Sequence, residues 1–474
     1  MSSINHELNA LANTPLSGDA RRFYTAAWRW HFYAGLYVAP FLIILSVTGL
    51  VMMYIALIEG RDGEKITVPV PQGAQALKIS AQTAKALEAV SGGKIVEWVK
   101  PTTSDGASVF RVSAEGTNYM IAIDPFEGTE VNTWLRRDGW YDFATDIHAT
   151  LLIGTTGDRL LEIAAGFGVV LILTGLYLWW PRQENVATVF FPTLSSGGRS
   201  LWKNLHRSVG FYVSILLFLF LLSGLSWTGF WGEKFVQAWN TFPAEKWENV
   251  PLSDDIHASM NHGAVKDVPW SLEQTPLPAS GSDAGRLGID TGMPVDIDSV
   301  SDFAQKLGYT GRFRVSFPKG EAGVWTVNQD SMSNDAPNPT ADRTVHIDQY
   351  TGKVLADVQF KDYTLMAKAM AVGIAFHEGD MGGWNVIVNT LTCLAVIFLS
   401  ISGIIMWWVR RPKQGGLRLF APKAPEGMPH WPAAMLIMLV VSLAFPLVAL
   451  SLIAVLTVDL LLISRIARLR KALS

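Results

Sequence analysis

The chain has 474 residues, of which 49% are hydrophobic and only 17% charged, against about 25% charge in an ordinary soluble domain. Its mean hydropathy of +0.24 excludes an ordinary cytosolic enzyme and points to a membrane protein with sizeable soluble parts. A net charge of −3 gives no field to attract nucleic acid, and the one cysteine, Cys393, excludes an intrachain disulfide and any Cys-based zinc or iron–sulfur site.

In chain order, a polar tail (1–27) precedes a first span (28–58), whose apolar run Ala34–Ile58 is long enough to cross a bilayer and too long for a cleaved signal peptide. Segment 59–141 follows. It predicts a helix over Ser80–Val90, then alternating strands in "IVEWVKP", "SVFRVS" and "YMIAIDPFEGTEV", with Asp124-x3-Gly128 as a hairpin turn. Segment 142–182 holds an amphipathic stretch around His148 and a second span, Leu160–Trp180. A short loop (183–203) leads to a third span (204–232), built on Val209–Trp231.

Segment 233–362 repeats the helix-and-strand pattern. A helix is predicted over Ser299–Leu307 with Asp298 as N-cap, then strands in "FRVSFP", "GVWTVN" and "RTVHIDQYTGKVL". Its extra residues, Glu248–Thr291, read as irregular loop. Segment 363–410 carries an amphipathic stretch around His377 and a fourth span, Trp384–Val409. After a loop (411–430) comes a fifth apolar segment (431–464), interrupted by Pro446, and a basic tail (465–474). The fifth segment fits either one kinked, tilted helix or a re-entrant pair of half-helices.

Charge sets the expected orientation. Residues 1–30, 182–207 and 410–430 hold 3, 4 and 5 Lys/Arg against 2, 1 and 1 Asp/Glu, so these short segments are expected in the cytoplasm. The N-terminus is then cytoplasmic and both long loops lie outside, in the periplasm of a Gram-negative bacterium.

The chain also repeats itself. "HFYAGLYVAPFLIILSVTGL" from His31 matches "HRSVGFYVSILLFLFLLSGL" from His206, pairing Gly35 with Gly210, Tyr37 with Tyr212 and Gly49 with Gly224. "TGLYLWWPR" at Thr174 parallels "SGIIMWWVRRP" at Ser402, and His148 and His377 each precede an even-numbered span. The expected fold is a membrane α-helical bundle of four core helices from an internal duplication, with a C-terminal fifth segment and two small α+β extracytoplasmic domains.

Four histidines then fall into two pairs, His31 with His206 near one face and His148 with His377 near the other. The faces are about 30 Å apart, so one metal ion cannot take all four. Two opposed neutral imidazoles are what a six-coordinate haem iron takes as axial ligands. Gly35 and Gly210, one turn beyond an inner histidine, would leave room for a porphyrin. Gly49 and Gly224 lie 18 residues, five whole turns, beyond His31 and His206 and so beside the outer site. Arg29 and Arg207 suit haem propionates or positive-inside anchoring equally. Tyr37 and Tyr212 read as interface residues, and Trp179, Trp180, Trp407 and Trp408 as an aromatic belt. His257 and His262, near Met260, suggest a soft-metal site or a plain polar loop. His346 reads as structural, and His6 and His430 have no partner in sequence. No dinucleotide or phosphate-binding motif is present, so electrons would come from another protein or from quinol.

These residues resemble the PepSY-associated transmembrane family of bacterial iron-regulated inner-membrane proteins. The likeness rests on "WRWHFYAGLYVAPFLIILSVTGL", the Val268-Pro269-Trp270 stretch, "GIAFHEGDMGGWN" through "SGIIMWWVRRP", and "FPLVALSLIAVLTVDLLL" near the C-terminus. The resemblance implies two PepSY-type outer domains. Some relatives are haem-containing reductases of ferric siderophores, and His31, His206, His148 and His377 fall where their ligands would lie. The bulk of the second outer domain and the fifth segment depart from a minimal four-helix member. The expected function is electron transfer through two haem b groups to a periplasmic ferric siderophore or other ferric chelate, with the lipid bilayer as surroundings. The alternatives are a membrane-anchored module regulating a peptidase and an accessory subunit of a metal transporter.

Overall fold

The computed structural model describes residues 18–181, 190–192, 194–195, 197–247, 249–261, 266–333, 335–336, 338–412, 418–423, 425, 432–463 and 465–466. Along the chain the principal elements are α1 (Gly18–Glu59), α2 (Ile79–Ala89), β1 (Lys94–Val99), β2 (Ser108–Ala114), β3 (Thr117–Ile123), β4 (Glu130–Leu135), α3 (Trp140–Thr150), α4 (Thr155–Trp179) and α5 (Gly198–Leu225). They continue with β5 (Leu252–Ile256), β6 (Pro276–Pro278), α6 (Ile297–Lys306), β7 (Arg314–Ser316), β8 (Val324–Gln329), β9 (Arg343–Asp348), β10 (Val354–Gln359), α7 (Leu365–Glu378), α8 (Gly383–Arg410), α9 (Pro432–Ala444) and α10 (Pro446–Val458). They fall into two compact units, a helical one (residues 1–48, 147–232 and 388–474) and a sheet unit (49–146 and 233–387).

In the helical unit, α1, α4, α5 and α8 are long and apolar enough to cross a membrane. Their outward residues are themselves apolar: Ile215 is 73% exposed and Leu391 61%. Such a surface is stable against lipid and not against water, and the chain is a membrane protein. The first span extends well before the expected start, to Gly18.

The fifth segment breaks between Ala444 and Pro446, and α9 and α10 are bent by 116°. Pro446 explains the break, because proline offers no N–H to the preceding turn and clashes with it. Each half has 13 residues, about 20 Å at 1.5 Å per residue, short of a 30 Å hydrocarbon core. So sharp a bend makes the segment a broken span or a re-entrant pair. Ala434 near its start packs against Phe23 and Ala27. Its tip, Phe445 and Val448, packs against Val169, Leu221 and Leu225. Trp231 stacks on Phe445 and donates its indole N–H to Ala444 O at 2.7 Å. Gly166 makes the approach possible, since a Cβ there would stand 2.3 Å from Val448 Cγ2.

In the sheet unit, the strands of both loop segments join one eight-stranded antiparallel sheet, in the order β10-β9-β8-β7-β1-β2-β3-β4. Two separate small domains were expected from sequence; the pairing of Trp98 with Val315 across β1 and β7 merges their strands instead. Alternation sends Trp98, Phe110, Ile121, Val315, Val327, Val345 and Ile347 to a core shared with α2 and α6. The other face carries Val99, Val109, Met120 and Ala122 in one half. In the other half it carries buried polar residues, including Arg314, Thr326, Asn328, Thr344 and His346.

The two Asp-x3-Gly turns make the same bonds. Asp124 Oδ1 accepts from the amides of Phe126 and Glu127, and Asp348 Oδ1 from those of Tyr350 and Thr351. Gly128 and Gly352 sit at φ +70° and +68°, the left-handed region that glycine tolerates.

The structure corrects two further sequence expectations. The cap of α6 is Asp296, which accepts from Ser299 N in a reciprocal capping box. Asp298 instead accepts from Ser80 N and Oγ, tying α6 to α2. The stretch read as irregular, Glu248–Thr291, contains the two-stranded sheet β5–β6.

Candidate functional site

His31 on α1 and His206 on α5 are brought together inside the helical unit. Their ring centres are 6.4 Å apart, with planes at 87°. The ends of α4 and α8 complete the site. His31 Nδ1 lies 3.0 Å from Thr174 Oγ1 on α4, and His206 Nδ1 lies 2.8 Å from Ser402 Oγ on α8. The residue after each hydroxyl is a glycine facing the ring. A Cβ on Gly175 would stand 3.2 Å from His31 Cε1, and one on Gly403 would stand 3.8 Å from His206 Cε1. Four helices thus supply two imidazoles, two hydroxyls and two missing side chains at one end of the bundle.

This arrangement can be tested against the cofactor expected from sequence. An imidazole nitrogen binds a first-row metal at about 2.0–2.1 Å and lies about 1.1 Å from its ring centre, so two axial imidazoles have centres about 6.3 Å apart. The observed separation of 6.4 Å leaves room for one iron between the rings, and His31 and His206 are the residues that would hold it. Among the described residues no three His, Cys, Asp or Glu side chains are grouped to hold a metal ion. Gly35 and Gly210 stand where a Cβ would meet only Leu171 and Leu399, at 3.7 and 3.6 Å. Those are ordinary contact distances, so packing against these leucines does not demand glycine at either position.

Of the outer pair, His148 lies on α3 in the helical unit, with Nδ1 2.8 Å from Thr48 Oγ1 on α1. His377 lies on α7 in the sheet unit. Gly49 and Gly224 directly follow Thr48 and Ser223 on α1 and α5. Arg29 donates to Pro422 O and lies 5.0 Å over the Tyr33 ring. Arg207 follows His206 on α5.

The aromatic belt needs one correction. Trp180 and Trp408 are exposed, but Trp179 is buried and stacks on Phe211 at 4.0 Å, a packing role. Tyr37 donates to Leu160 O and Tyr212 to Phe190 O.

The candidate soft-metal residue His257 is fully buried in the sheet unit. Its Nδ1 is 2.7 Å from Thr275 O, and its Nε2 is 2.9 Å from His346 Nε2. A carbonyl only accepts, so His257 carries its proton on Nδ1. Its Nε2 then accepts from His346 Nε2–H, and His346 Nδ1 accepts from Thr326 Oγ1 at 3.0 Å. Both rings are spent on hydrogen bonds, which leaves His257 no lone pair for a metal. Burial holds His257 down to about 4, and burial together with His257 holds His346 well below its usual range. His262, His6 and His430 lie outside the described residues.

A second polar cluster crosses the middle of the sheet. Arg314 donates to Asp335 at 2.7 Å and Asp62 at 2.9 Å, Arg312 pairs with Asp335 at 3.0 Å, and Arg111 with Glu97 at 3.3 Å. Burial alone would raise Asp62, but Arg136, Arg314 and Arg312 hold it far below the usual carboxylate range. With charges matched one against another, this cluster is a structural network.

The hydroxyls of Thr174, Ser402 and Thr48 were not singled out from sequence. The signal that could have found them was a Ser/Thr-Gly step in every span: 48–49, 174–175, 223–224 and 402–403. Comparison with protein families matches residues 28–410 to the PepSY-associated TM region. A search of curated proteins finds no match.

Proposed function

The chain belongs to the PepSY-associated TM family, and from that premise we propose that it is a di-haem b protein passing electrons across the bacterial inner membrane to a ferric chelate. The observation that carries the reading is the His31–His206 pair, whose ring centres, 6.4 Å apart, would leave room for one iron between them. A bound haem supplies one-electron redox chemistry, and the protein supplies ligands, insulation and a docking surface.

In this reading His31 and His206 hold the haem near the cytoplasmic face. Gly35 and Gly210 leave space beside their ligands, and Arg29 and Arg207 are the candidates for its propionates. By their matching places in sequence before the even-numbered spans, His148 and His377 are assigned to a second haem near the periplasmic face. The charge of the short basic segments supports a cytoplasmic N-terminus and periplasmic long loops. The donor is a cytoplasmic protein or quinol. The acceptor is a ferric siderophore or similar chelate, whose hard oxygen ligands hold Fe(II) less well than Fe(III).

The test is single turnover. Protein reduced under argon is mixed with a ferric hydroxamate chelate in the presence of an Fe(II)-trapping dye. The reading expects reoxidation of the protein with stoichiometric trapped Fe(II). Reduced protein that stays reduced would overturn the assigned acceptor.

A further inference from the structure

We propose that Thr174, Ser402 and Thr48 are positioning residues that lock His31, His206 and His148 in the Nδ1–H tautomer, presenting a bare Nε2 to the metal. A Ser or Thr hydroxyl has one hydrogen and can donate once. Thr174 Oγ1 lies 2.7 Å from Val170 O, Thr48 Oγ1 2.7 Å from Ile44 O, and Ser402 Oγ 3.1 Å from Leu399 O. Each hydroxyl therefore has a carbonyl of its own helix to donate to. Toward the histidine its oxygen accepts, at 3.0, 2.8 and 2.8 Å for His31, His148 and His206.

A backbone carbonyl also lies near each imidazole: Leu171 for His31, Leu45 for His148 and Leu399 for His206. In each case this is the carbonyl three residues before the hydroxyl, within 3.1–3.3 Å of the hydroxyl oxygen. The hydroxyl's own hydrogen is drawn to its helix, so its oxygen is left to accept from the ring. The arrangement occurs three times with the same spacing, on α1, α4 and α8. Metal-bound histidines generally give their second ring N–H to such a partner, which fixes the tautomer and ring orientation. Here the partner is neutral, so the imidazole is not pushed toward imidazolate as it would be by a carboxylate. The identity of the group at Nε2 rests on the haem reading above; the tautomer does not.

The test has two arms. In the full-length protein freed of haem, 15N-histidine NMR near neutral pH reads the tautomer directly. Nδ1-protonated rings are expected for His31 and His206, with the preference lost for His31 in Thr174→Val and kept in Thr174→Ser. In the haem-loaded protein, Thr174→Val and Ser402→Ala are expected to lower haem affinity about 10–100-fold and shift the midpoint potential, with Thr174→Ser and Ser402→Thr close to the parent. Nε2-protonated rings in the parent protein would overturn the proposal. So would Thr174→Val with unchanged tautomer and haem affinity. Nδ1-protonated rings in a protein that takes up no haem would refute the haem reading and leave the tautomer assignment standing.

Discussion

Substituting Gly166 by alanine tests how the bent pair is held. The added Cβ would stand 2.3 Å from Val448 Cγ2. Carbon atoms pack best at about 3.5–4.0 Å, so one side must retreat by about 1.2 Å. Val448 is only 1% exposed and is held between Phe445, Leu221 and Leu225, so it has little room to do so. Overpacking of this kind costs about 1–3 kcal/mol. Val448→Ala alone loses two buried methyl groups, about 1.6 kcal/mol at 0.8 per group, plus a cavity term. In the double variant the clash is gone, because the alanine replacing Val448 has no Cγ2. The double variant is therefore expected to be more stable than the sum of the single losses by about 1–3 kcal/mol. The assay is thermal unfolding of the four proteins in one detergent at a fixed scan rate, with proteolysis of the bent pair as a local readout. Strictly additive losses would refute the contact, and with it the docking of the bent pair on α4.

The charge network of the sheet predicts that Arg314→Met, which strands the buried Asp335 and Asp62, destabilises the sheet unit by about 3–5 kcal/mol, read by thermal unfolding. Gly175→Ala is expected to shift the absorption bands and midpoint potential of the His31 site, while Gly403→Ala leaves them unchanged, because the added Cβ is tight at 3.2 Å in the first and relaxed at 3.8 Å in the second. Protonation supplies a further test. His257 and His346 are held neutral by burial, so below about pH 6.5 the unfolded chain takes up protons that the fold refuses, and stability is lost as pH falls toward 4. Asp330 works in the opposite sense. Burial and Asp335 raise it to about 7, so its contribution falls as pH rises from about 4 to 7. Asp330→Asn removes that opposing slope and is expected to lose stability more steeply than the parent between pH 7 and 5, by up to about 1.4 kcal/mol per pH unit; an unchanged slope would contradict the assignment.

Much of this fold was legible because its elements carry strong local signals. The four long spans follow from apolar length, and the eight strands from alternation closed by Asp-x3-Gly turns whose aspartates cap their own backbone. The merging of the strands into one sheet was not legible, since the β1–β7 pairing joins residues more than 200 positions apart and has no turn to announce it. The cap of α6 was displaced by two residues because Asp296 and Asp298 are chemically equal in sequence, and only the reciprocal bond with Ser299 separates them. Pro446 marked a break, but the contacts that seat the bent pair come from Gly166 and Trp231, far away in the chain. At the site, the histidines were found by their repeated spacing. The hydroxyls that orient them were passed over, because Ser and Thr inside an apolar helix usually bond only to their own backbone. His257 drew attention by composition, and only the fold shows it spent on His346.

The most direct test of the central claim is the haem content of the detergent-purified protein and of His31→Ala, by pyridine haemochrome and reduced-minus-oxidised spectra. About two haem b per chain in the parent and about one in His31→Ala, with the remaining haem spectrally intact, is the predicted result. A parent protein without haem, or a His31→Ala variant that keeps both, would contradict the assignment of His31 and His206 to one iron.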